Sequence, residues 1–139
     1  MSIYGNVVLT GVPYLGASIW DSASNPIEQG NISSSTGANS TSSNSQRLRT
    51  NGYIPVIGGA TYTINCNLYR VYVYFYSSSK GFLSGTGTGW LNPLPSNFTA
   101  PSNAAYIRCV IAKSSGSVSP SNVTSFTIQP NFGGLKYIG

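Results

Sequence analysis

The sequence predicts a small all-β domain, and three observations carry that reading. Short segments of alternating apolar and polar residues are separated by Gly, Pro, Asn and Ser. No window of ten residues holds a 3.6-residue apolar period. Within YRVYVYFYS (Tyr69–Ser77), Val71–Tyr76 alternates strictly between Val or Phe and Tyr. A period of two between turn residues marks antiparallel strands packed as a sandwich or barrel. At 139 residues the chain has the length of one domain with its own core.

Taken in order, residues 1–20 are apolar but broken by Gly5, Gly11, Pro13 and Gly16, leaving one short strand over Asn6–Thr10. They lack the basic start of a Sec leader, and no stretch of the chain approaches a membrane span. Residues 21–45 are polar and turn-rich. Within them SSSTGANSTSSNS (Ser33–Ser45) has the composition of a flexible linker or attachment arm, with a boundary near residue 45. Strands are then expected at Gln46–Thr50, Tyr53–Val56, Ala60–Asn65, Tyr69–Ser77, Gly81–Leu83, Ala105–Lys113 and Ser125–Gln129. Pro93, Pro95 and Pro101 predict irregular backbone over Leu91–Ser102.

Two of these strands set the architecture. Val71, Val73 and Phe75 share one face, and Tyr72, Tyr74 and Tyr76 the other. In YIRCVIAK, Ile107, Cys109 and Ile111 oppose Tyr106, Arg108, Val110 and Ala112. The aliphatic faces should line the core. The Tyr and Arg faces are either a groove floor or a second buried layer. A segment such as VYVYFY would aggregate at an exposed edge, so it belongs inside a sheet.

Only 6% of residues are charged, so Ser, Thr, Asn, Gly and Tyr must solvate the surface. The net charge of +5 sets seven Lys and Arg against Asp21 and Glu28. Apart from Arg47 and Arg49 the bases are scattered singly, which argues against nucleic acid as a partner. Cys66 and Cys109 sit in strand-like segments, either as small core residues or, if their strands adjoin, as a disulfide.

The residues that are missing bear on catalysis. The chain has no His, which removes the commonest general base and metal ligand and makes a His-activated Ser or Cys nucleophile impossible. Two isolated Cys make no zinc site, and two acids give little reason to expect calcium. GTGTGW (Gly85–Trp90) lacks the Lys and the helix of a phosphate loop. Asp21 and Glu28 lie in a turn-rich stretch that promises no rigid glycosidase spacing. The expectation is a non-enzyme without metal or cofactor.

Ten Tyr, two Trp and four Arg, with almost no competing charge, suit a sugar-binding surface. Aromatic faces cover the apolar C–H face of a pyranose, and planar polar groups orient its hydroxyls. The same composition suits any wet, Tyr-rich interface. Three runs also carry a resemblance: RLRTNGYIPVIGGATYTI (Arg47–Ile64), VYVYFYSSSKGFLSG (Val71–Gly85) and FTAPSNAAYIRCVIA (Phe98–Ala112). Together they resemble a module of tail and baseplate proteins from phages of Gram-positive bacteria. Trp20, Glu28, Gly30, Ile32, Thr36 and Gly37 are similar to that family's W-E-x-G-x-I-x-x-x-T-G opening, with seven extra residues (Asp21–Ile27) after the Trp.

The resemblance spans roughly residues 20–130 and so argues against a mere linker at 21–45. It implies an antiparallel β-sandwich of jelly-roll type, like carbohydrate-binding modules, that helps a virion adhere to host cell-wall polysaccharide. Residues 1–19 and 131–139 fall outside it and are expected to serve attachment to the particle. The expected saccharide-binding residues are Arg49, Tyr72, Tyr74, Trp90 and Arg108, with Arg47 sharing the face of Arg49. Trp20 is expected to pack or to touch another chain, and Tyr53 and Tyr62 to be structural. Two other classes remain open: a structural virion subunit that docks on other phage structural proteins, and an enzyme's accessory domain. A homo-oligomer suits a virion appendage, though no heptads support one.

Overall fold

The computed structural model describes residues 17–86 and 89–131. The strand expected at Asn6–Thr10 and the tail beyond Asn131 lie outside the described residues. Eleven strands are present among them, with two short 3-10 turns and no α-helix. In chain order they are β1 (Ile27–Gln29), β2 (Asn31–Ile32), β3 (Asn39–Ser40), β4 (Leu48–Thr50), β5 (Ile54–Pro55), β6 (Thr61–Cys66), β7 (Arg70–Tyr76), β8 (Phe82–Gly85), β9 (Ser96–Thr99), β10 (Tyr106–Ala112) and β11 (Phe126–Pro130). The larger sheet runs β1-β4-β10-β7-β8, with β5 on the same edge of β10 as β4. The smaller runs β11-β6-β9, and every pairing is antiparallel. The two sheets pack as a β-sandwich.

Alternation in β7 and β10 builds the core as expected. Val71, Val73, Phe75, Ile107, Cys109 and Ile111 are buried against Tyr62, Ile64, Phe126 and Ile128 of the smaller sheet. Tyr62 stacks on Phe98, and Trp20 meets Phe126 edge-on at 5.0 Å while its indole N–H donates to the Asn25 carbonyl. Trp20 therefore packs on its own chain. Cys66 and Cys109 are free, buried thiols, and burial pushes both above the ordinary thiol value. The VYVYFY segment lies between β10 and β8, paired on both sides.

β4 and β5 divide one edge of β10. Leu48 and Arg49 face Ile111 and Val110, and Ile54 and Pro55 face Ile107 and Tyr106. The Cys109 N–H falls in the gap between them, where the Thr50 hydroxyl accepts it at 3.0 Å. Thr50 is fully buried for this reason; an unpartnered N–H there would be costly.

Two sequence expectations are corrected. Residues 91–102 are not wholly irregular, because Ser96–Thr99 is a strand paired with β6. Its alternation is legible afterwards: Phe98 turns into the core while Asn97 and Thr99 bond Thr63 and Thr61 across the pair. Residues 33–45 are not a linker. They complete the β2-β3 hairpin, which folds back over the larger sheet's outer face, where Ile32 is buried with Tyr74, Tyr76 and Val110.

Candidate functional site

The outer face of the larger sheet is laid out in rows by strand register. Arg70 on β7 pairs Ala112 on β10, and Arg47 lies one residue before Leu48, the partner of Ile111. The next row holds Arg49, Val110 and Tyr72, and the next Arg108, Tyr74 and Gly85. The last holds Pro55, Tyr106, Tyr76 and Phe82.

The hairpin covers the Tyr74 and Tyr76 end of this face. The Tyr76 hydroxyl donates to the Gly37 carbonyl at 2.7 Å, and the Tyr74 hydroxyl to the Ile32 carbonyl at 3.2 Å. Both phenols are buried, at 5% and 1% exposure for Tyr74 and Tyr76. Burial pushes Tyr74 up to about 12 and raises Tyr76 further still. Gly37 has φ +71°, and the Phe82 ring lies where a Cβ would project, so only glycine fits. Tyr53 closes the far side, edge-on to Tyr76 at 5.0 Å, as the structural role expected of it requires.

Between the hairpin and the Arg70 end an open cleft of about 440 Å³ remains. Ser33, Ser34, Ser40 and Ser42 form its hairpin wall, and Arg47, Tyr72 and Trp90 its opposite wall. Tyr72 and Trp90 meet edge-on at 5.9 Å, both half-buried. Tyr72 owes its pose to Gly85, because a Cβ at that position would strike the phenol ring. Guanidinium groups stand over the Trp90 ring, Arg70 at 4.2 Å and Arg47 at 5.1 Å.

The five expected residues thus separate. Tyr72 and Trp90 line the cleft directly. Tyr74 also borders it, but its hydroxyl is spent on the hairpin. Arg49 donates to a Glu28 carboxylate oxygen at 2.7 Å and to the Asn31 carbonyl at 2.9 Å. Arg108 is buried, with Nε and Nη2 on the Thr50 carbonyl and Nη1 on the Asn39 side chain at 2.8 Å. Arg49 and Arg108 therefore position the hairpin's two ends and leave the cleft to other groups.

The comparisons give no name to this arrangement. Family models, curated proteins and solved structures all return no match. Sequence reasoning missed Arg70, although its spacing of two from Tyr72 places it on the same face. It also missed the hairpin serines, whose run carries no apolar period to signal that it folds.

A second recess of about 670 Å³ opens beside Asn67, Tyr69, Pro93 and Lys113. Its one ring, Tyr69, is 52% exposed and unstacked among the described residues. It offers no paired aromatic wall. Asp21 caps its own turn through Ala23 N–H and the Ser24 hydroxyl, and both Glu28 oxygens are taken by Arg49 and Asn51.

Proposed function

We propose that this chain is a non-catalytic saccharide-binding module, with the jelly-roll winding of carbohydrate-binding modules, carried on a phage particle for adhesion to host cell-wall polysaccharide. The observation that carries the reading is the cleft that sets Tyr72 and Trp90 against a wall of four serines, of which the Ser33 and Ser40 hydroxyls also brace the hairpin. Aromatic faces take the C–H side of a pyranose, hydroxyls on the facing wall exchange hydrogen bonds with its oxygens, and the Arg47 guanidinium beside Trp90 donates to them. The cleft's volume suits one or two sugar rings. Engagement of both carboxylates within the fold supports a binding role over a hydrolytic one. The virion setting rests on the ordered motifs across residues 20–130.

The test is binding of the purified chain to a panel of polysaccharides from Gram-positive cell walls and to intact cells. The expected result is saturable binding that Trp90→Ala and Tyr72→Ala each weaken tenfold or more at temperatures where both variants remain folded. Absence of binding to every saccharide, together with firm binding to a virion protein, would establish the structural-subunit reading instead.

A further inference from the structure

Resting on that saccharide reading, we infer that the cleft takes an anionic saccharide, whose phosphodiester or carboxylate oxygens sit between Arg47 and Arg70 while a sugar ring lies against Trp90 and Tyr72.

The inference comes from how the four arginines are used. Arg49 and Arg108 have their guanidiniums occupied by a carboxylate, carbonyls and an amide. Arg47 and Arg70 do not. Arg47 donates once to protein, to the Gln46 carbonyl at 3.1 Å. The Arg70 Nε is shielded from solvent and has no hydrogen-bond partner among the described residues. Neither meets a carboxylate among the described residues, since Arg49–Glu28 is the one ion pair found there.

These two cations are also held close together. They flank the small Ala112 side chain in one row, and both stand over the same Trp90 ring. Burial, and then the Arg70 charge, lower the Arg47 guanidinium below its ordinary value. Like charges brought together with donors unmet are the arrangement an oxyanion relieves, because one group can accept from both forks. Trp90 offsets part of that repulsion through its π face.

The site is tested by isothermal titration with four probes: a hexose-substituted poly(glycerol phosphate), polygalacturonate, neutral dextran and single-stranded DNA. The expected result is at least tenfold tighter binding to one or both anionic saccharides than to dextran or DNA, with the two anionic arms separating phosphodiester from carboxylate. Log affinity should fall with log salt at a slope of about −1 to −2, as two guanidiniums release their counterions. Arg47→Gln with Arg70→Gln should flatten that slope and cut anionic binding at least tenfold more than dextran binding. Arg47→Gln alone, at the start of β4, reports the same trend if the double variant fails to fold. Equal affinity for dextran and the anionic polymers, or equal losses for both in the variants, overturns the inference and leaves saccharide binding standing. DNA bound as tightly as the anionic saccharides overturns it too, since an unselective basic patch would suffice. Failure to bind any saccharide overturns both.

Discussion

At the residue scale, the outer face shows that side chains of one type serve different ends according to their partners. Tyr72 and Tyr76 share a strand and a face, yet Tyr76 gives its hydroxyl to a buried carbonyl and Tyr72 borders open solvent. Tyr76→Phe should therefore cost about 1–3 kcal/mol of stability by orphaning the Gly37 carbonyl, read as a shift in the denaturant midpoint at constant slope. Tyr72→Phe should barely move that midpoint. Arg108→Ala should lose about 2–3 kcal/mol, because the Thr50 carbonyl and Asn39 amide lose their partner inside the fold. Its effect on saccharide binding should follow that instability, in contrast to Trp90→Ala. The sequence placed Arg108 on the Tyr106 face of one strand and Arg47 with Arg49 on a face of another, but not which arginines were free. That is decided by Thr50, 58 residues from Arg108, and Glu28, 21 residues from Arg49.

At the element scale, the β2-β3 hairpin converts an open sheet face into a cleft with a roof. The strand alternation of β7 and β10 was legible because aliphatic and aromatic side chains carry a period of two. The hairpin was not, because Ser, Thr, Asn and Gly carry no apolar period and their composition matches a linker. What orders it comes from elsewhere: two phenol hydroxyls, the Arg108 fork and the single apolar plug Ile32. Gly37→Ala should strain the φ +71° turn and push against Phe82, destabilising the hairpin ahead of the sandwich. Hydrogen exchange should then show faster exchange at Ser33 and Gly37, whose N–H groups close the turn, while β6 and β10 stay protected. β9 was hidden in the same manner, since prolines on both sides mask a strand whose only apolar anchor is Phe98.

At the scale of the whole molecule, stability should scarcely depend on pH across the neutral range. There is no His, and the sequence has only two side-chain carboxylates, so denaturant midpoints from pH 6 to pH 8 should coincide. Alkali is different. The Tyr74 phenol, about 10 in an unfolded chain, is pushed up to about 12 by burial, and Tyr76 moves the same way. Above about pH 9 the unfolded chain releases the Cys66 and Cys109 protons, and above pH 10 the tyrosine protons, that the fold retains, so stability should fall as pH rises from 9 through 12. Tyr76→Phe should soften that fall, apart from its lower starting stability.

The placement of β7 between β10 and β8 has a kinetic consequence. Its VYVYFY run is the most adhesive stretch of the chain, and in the native sheet its backbone is paired with β10 along one edge and with β8 and Leu91 over parts of the other. Heat exposes the whole run at once, with no charge inside it to keep copies apart. Thermal inactivation should accordingly be irreversible and faster at higher protein concentration, with scan-rate-dependent midpoints. The working lifetime of the domain would then be governed by how rarely the larger sheet opens, and each bond that pins the hairpin over β7 lengthens it.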